Sequence, residues 1–190
     1  LRSDQEVVDY SKVDIKQLTD LDLSGSEFIS VHPQQDSLRF KSPRAKYNLK
    51  DQVIYAFNVE LVRVADAAVI PADGKVTVLK QADMLPFKNA KILANTTTKF
   101  HLITDAEVKI HGRNSYLGNG YYAYIDELQE SQSIHFSTVT VDSTKQTIAN
   151  GMIADIEGFA LSPFFDYYGE VNLKANDRYL YFKGASRIKH

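Results

Sequence analysis

The sequence predicts an all-β chain assembled from recurring hairpins, and three observations carry that prediction. Tyr (11 residues) and Phe (10) are abundant while Val, Ile and Thr recur throughout, and these side chains suit a pleated, half-buried surface. A short strand, a polar five-residue turn and a second short strand follow one another again and again. Only one stretch has a passable helical period.

That stretch comes first. From Val13 to Leu23, Ile15, Leu18 and Leu21 would share one helical face and Asp14 could cap its start, although alternation through Leu21 and Leu23 fits a strand equally well. We take residues 1–26 as an N-terminal segment or cap and 27–190 as the repeated hairpin domain.

Within that domain, Ile29-Ser30-Val31, Ala45-Lys46-Tyr47, Ala68-Val69-Ile70, Val139-Thr140-Val141 and Val171-Asn172-Leu173 are each followed by five polar residues. Those segments (32–36, 48–52, 71–75, 142–146 and 174–178) carry Asp, Asn, Gly and Pro, the residues that make tight turns. Second strands follow at Ser37 to Phe40, Val53 to Ala56, Val76 to Leu79, Thr147 to Ala149 and Tyr179 to Phe182. Gly151 and Gly184 then occupy matching places where a bulge or bend would let the chain leave the hairpin. Looser copies begin at Ala90 and Ala106. The uneven spacing favours an elongated stack of hairpins, a β jelly roll or irregular β-solenoid, over identical rungs; a β-sandwich is the alternative.

Composition narrows the function. A chain of 190 residues can bury about 70% of its unfolded surface, and a net charge of −2 with pI near 6.2 gives no field for capturing nucleic acid. The absence of cysteine excludes disulfides, thiolate metal ligands and thiol nucleophiles. Apolar runs such as Ala67 to Ile70 are far shorter than the roughly 20 residues that span a bilayer as a helix, so no transmembrane segment is expected. The start at Leu1, without Met, reads as a piece of a longer protein.

The tandem pattern of alanine-led strand, Asp- or Asn-bearing turn and second strand at Ala45 to Asn58 and Ala67 to Lys80 resembles the OstA-type repeats of lipopolysaccharide transport proteins. The resemblance extends over residues 27–110 and 136–184, and segment 114–126 stands outside it. It implies an elongated β jelly roll whose interior shields lipid acyl chains in the periplasm, and the cysteine-free, turn-rich β composition separately suits the periplasm or surface of a Gram-negative bacterium.

No catalytic pattern emerges. His32, His101, His111, His135 and His190 form neither His-Glu-x-x-His nor His-x-His, so no metal is assigned. Carboxylates such as Asp20, Asp126, Asp155 and Asp166 fall largely at turns. There is no Gly-x-Ser-x-Gly elbow. Asp73-Gly74 is a turn, Asn95-Thr96-Thr97 is formally a glycosylation sequon, and Gly118-Asn119-Gly120 reads as a hairpin turn.

The segment around that glycine pair invites a binding role, because Tyr116, Tyr121, Tyr122 and Tyr124 flank it. Strand alternation sends Tyr122 and Tyr124 to one side and Tyr121 with Ala123 to the other. Tyrosines on a sheet either stack on sugars and partners or pack as core and cross-strand neighbours. The expectation is thus a non-catalytic envelope or surface domain without cofactor, acting as a scaffold or lipid-shielding groove. The alternative is a carbohydrate-binding or adhesive module using hairpin 116–126. Expected partners are other proteins or neighbouring repeats, with lipid or glycan as ligands and no nucleic acid.

Overall fold

The structure is a computed structural model and describes residues 10–189; the first nine residues of the proposed N-terminal cap lie outside the described residues. The helix shrinks to a single turn, α1 (Ile15–Leu18). Asp14 caps it as expected, accepting from the Lys16 amide at 2.7 Å, but four residues cannot sustain a helix without tertiary support. That support comes from Leu18, which is buried with Leu61, Ala68 and Leu93, flanked by Tyr10, Val13, Ile15 and Leu23.

Seven short strands come first: β1 (Ser26–Ile29), β2 (Arg39–Ser42), β3 (Arg44–Asn48), β4 (Val53–Phe57), β5 (Val62–Val64), β6 (Ala67–Ile70) and β7 (Val76–Val78). The rest are mostly longer: β8 (Phe87–Ala94), β9 (His101–Gly112), β10 (Ser115–Ile125), β11 (Ser131–Val141), β12 (Thr147–Ile153), β13 (Ala160–Ser162), β14 (Phe165–Lys174) and β15 (Tyr181–Ile188). Every described ladder is antiparallel. Twelve strands form one sheet in the order β1-β2-β5-β6-β8-β9-β10-β11-β12-β14-β13, with β15 also on β14, and β3-β4-β7 form a second. The all-β, hairpin-rich class is therefore as the sequence predicts, and the layering is consistent with a jelly roll or sandwich.

Several predicted hairpins are present. β3 turns into β4 with Asn48 opposite Val53, β11 into β12 with Val141 opposite Thr147, and β14 into β15 with Asn172 opposite Tyr181. The segment 68–79 does not form a hairpin. β6 pairs with β5 and β8, while β7 crosses to the second sheet and pairs with β4. Gly151 and Gly184 do not end their hairpins either, since β12 and β15 run on past them. Gly151 instead lies opposite Phe136, at the bulge in the β11–β12 ladder. Gly184 lies opposite Gly169, where the two backbones approach so closely that a Cβ on Gly169 would come 2.6 Å from the Gly184 Cα.

The large sheet curls until its inner face packs on itself. The Asp66 carboxylate, in the β5–β6 turn, accepts from the Thr147 amide (3.0 Å) and hydroxyl (2.6 Å) at the start of β12. The Thr98 hydroxyl, in the β8–β9 turn, donates to the Ala175 carbonyl after β14 at 2.9 Å. Between these closures lies the main core, with Ile92, Ile103, Ile110, Tyr116, Ile134, Phe136 and Leu173 fully buried. Alternation supplies it: along β11, Ile134 and Phe136 point in while Ser133 and His135 point out.

Candidate functional site

The four tyrosines do not share a face. Gly118-Asn119-Gly120 is not a turn but the middle of the continuous strand β10, whose ladders with β9 and β11 both shift register there. Gly120 is needed because a Cβ would approach the Ile103 side chain at 2.6 Å, so glycine here serves close packing and a bulge. Tyr116 is 1% exposed, and its hydroxyl meets the Thr147 hydroxyl at 2.8 Å; burial pushes its pKa up.

Tyr122 and Tyr124 point inward as alternation predicts. Tyr122 packs on Phe136, and its hydroxyl lies 3.2 Å from Nδ1 of the fully buried His101. The other His101 nitrogen, Nε2, is 2.6 Å from the Asp177 carbonyl in the β14–β15 turn. Tyr124 packs between Phe159 and Phe182 and donates to the Leu161 carbonyl at 2.8 Å. Burial raises the pKa of both tyrosines. Tyr121 alone faces outward, with its ring centroid 4.8 Å from that of His135.

A second candidate was not visible in the sequence. At Ser42-Pro43-Arg44 the chain leaves the large sheet for the small one. Pro43 has no amide proton to continue a ladder. The buried Ser42 hydroxyl sits 2.8 Å from both the Arg44 and Phe57 carbonyls, donating to one at a time. The two sheets diverge from this point and leave an apolar cleft of about 350 Å³.

Phe28 on β1 and Phe40 on β2 form one wall, directly opposite in register and stacked at 5.3 Å with planes 9° apart. Tyr47 on β3, Ile54 on β4 and Val78 on β7 form the other, with Leu38 and Met84 also lining the cleft. Gln35, buried beneath, donates from its side chain to the Ala82 carbonyl. Lys80 stands among the lining residues, and Val31 at 97% exposure offers apolar surface to solvent. His32, in the segment joining β1 to β2, has its Nδ1 buried without a hydrogen-bond partner.

Among the described residues, no three His, Asp or Glu side chains converge as a metal site, and no helix is long and apolar enough to cross a membrane. Comparisons with protein-family models, with curated proteins and with solved structures each returned no significant match. The chain is thus an antiparallel all-β domain with a curled main sheet, a small covering sheet, and an apolar cleft where the two part.

Proposed function

We propose that this chain is a non-catalytic β domain of a cell-envelope or surface protein, a scaffold whose cleft takes up a lipid acyl chain. The cleft itself carries the reading. Its volume of about 350 Å³ falls in the range of small-molecule sites, which are mostly apolar with a few polar groups that orient the ligand. Phe28, Phe40, Ile54, Val78 and Met84 supply an apolar wall, and Lys80 supplies one cation for an acidic headgroup. A position outside the cytoplasm, in the periplasm or at a Gram-negative surface, belongs to the same proposal and rests on the repeat pattern of the sequence.

The test is titration of the purified chain with a fluorescent C16 fatty acid, alongside native mass spectrometry of protein incubated with palmitate. Ile54→Trp fills the space without adding charge. Saturable binding that Ile54→Trp weakens by about tenfold or more, with unchanged far-UV circular dichroism, supports the proposal. Absence of saturable binding, or equal binding by the filled variant, overturns it.

A further inference from the structure

We infer that the outer face of β9, β10 and β11 around Tyr121 is a binding site for a neutral carbohydrate chain. This site is separate from the apolar cleft, so either proposal can fail without the other. The inference begins with an irregularity. Strict alternation after Thr104 would turn Asp105 toward the core, yet Asp105 has a left-handed backbone (φ 48°) and is exposed, while Ala106 takes the buried position. The β9–β10 ladder shifts register at this point, between Asn119 and Tyr121. Bulges re-aim side chains, and this one places Thr104 and Asp105 together in a groove with Tyr121, Ala123, Ser131 and Ser133.

The groove has the chemistry that a pyranose needs. Tyr121, 45% exposed, offers a ring on which the C–H face of a sugar can stack, and a tyrosine loses little conformational entropy when it does so. His135 lies directly across the β10–β11 ladder, its ring tilted 38° to the tyrosine ring, which steadies Tyr121 and extends the aromatic surface. The Thr104 hydroxyl donates to the Tyr121 carbonyl at 3.4 Å, tying the two strands beneath the ring.

The Asp105 side chain makes no hydrogen bond or ion pair among the described residues. Its carboxylate is thus free to accept from sugar hydroxyls, and charge-assisted hydrogen bonds of this kind are the stronger ones. Ser131 and Ser133 add hydroxyls on the same face. Charge selects the ligand class. Asp105 and the exposed Glu107 make the face acidic, and the nearest cation on β9, Lys109, is engaged by Asp83 at 2.6 Å. Sialylated, uronic or sulfated glycans would be repelled, so a neutral chain fits.

The experiment is an array of neutral gluco-, manno-, galacto-, xylo- and chito-oligosaccharides beside acidic glycans, followed by calorimetry on the best binder. Wild type, Tyr121→Ala, Tyr121→Phe and Asp105→Asn are compared. All three substitutions fall on exposed side chains, and circular dichroism with thermal melting confirms folding. The expected result is a neutral glycan whose affinity falls about tenfold or more in Tyr121→Ala, stays within about threefold in Tyr121→Phe, and drops about fivefold in Asp105→Asn. Retention of no neutral glycan, a preference for acidic glycans, or binding unchanged by Tyr121→Ala each overturns the inference.

Discussion

Replacing Asp66 by Ala would test whether the large sheet is held closed where the β5–β6 turn meets β12. The Asp66 carboxylate accepts from both the amide and the hydroxyl of Thr147, a residue with no exposed surface. Hydrogen bonds to a charged group contribute about 1.5–3 kcal/mol each, and an orphaned buried donor carries its own desolvation cost of about 1–3 kcal/mol. Asp66 is itself half-buried, which places the pair toward the lower end. The Thr147 hydroxyl keeps Tyr116 as a partner after the change, so only the amide is orphaned. The expected loss is about 3 kcal/mol, read from urea unfolding at constant m-value. Asp66→Asn keeps one acceptor oxygen and should lose about half as much. Thr147→Val in the Asp66→Ala background should add less than it does in wild type, because the two residues share the interaction. A loss below about 0.5 kcal/mol for Asp66→Ala, or full additivity in the cycle, would refute the closure.

The remaining predictions concern pH and the β14–β15 ladder. Burial holds the His101 pKa below its ordinary 6.5, against the raising effect of the Asp177 carbonyl. The unfolded chain therefore takes up the proton first as pH falls. Stability should be level above about pH 6.5 and should decline below it, by the linkage between proton uptake and unfolding. His101→Gln should flatten that slope between pH 5 and 7 in pH-dependent urea melts, and an unchanged slope would show that the decline originates elsewhere. Gly184→Val forces a side chain against the Tyr168 carbonyl and Gly169. It should cost about 2–4 kcal/mol, in the range of backbone and overpacking effects, and should abolish the β14–β15 amide contacts in NMR spectra; a well-folded variant with those contacts intact would contradict the packing described.

The parts of the fold that local sequence dictates were legible. The turns at 48–52 and 142–146 join strands that pair with each other, so a polar pentapeptide between two β-branched or aromatic runs was sufficient. The turn at 71–75 has the same chemistry, but β7 leaves for another sheet because Val76 and Val78 find Ala56 and Ile54. Nothing within five residues distinguishes a hairpin from a crossing. Gly118 and Gly120 misled for a related reason. Glycine marks both turns and places where a backbone must come close, and here Ile103 and Ala106 crowd the position that a Cβ of Gly120 would take. The facing of Tyr121 against Tyr122 and Tyr124 was readable from alternation alone, since the bulge lies before them. The cleft was not, because its walls come from residues between 28 and 84 that meet only after the two sheets diverge.

The two proposed sites occupy mechanically different parts of this architecture. Tyr121 stands on β10, which shares eight registered pairs with β11 alone, so its groove is fixed before any ligand arrives and suits a rigid stacking platform. The cleft lies where the large sheet is most thinly joined, since β2 meets β5 through the single pair Phe40–Val62. Few ladder bonds resist separation there, and the β1–β2 hairpin is held by burial of Leu38 and Phe40 together with hydrogen bonds from its connecting segment, Arg113 amide to Gln35 carbonyl and Gln35 side chain to Ala82 carbonyl. Local opening is cheapest where backbone pairing and contact density are low. An apolar ligand entering between Phe40 and Ile54 would replace solvent at that seam with new contacts to both sheets. If the cleft takes up an acyl chain as proposed, the weak joint would be its entry route, and the bound ligand would brace the same joint it passed through.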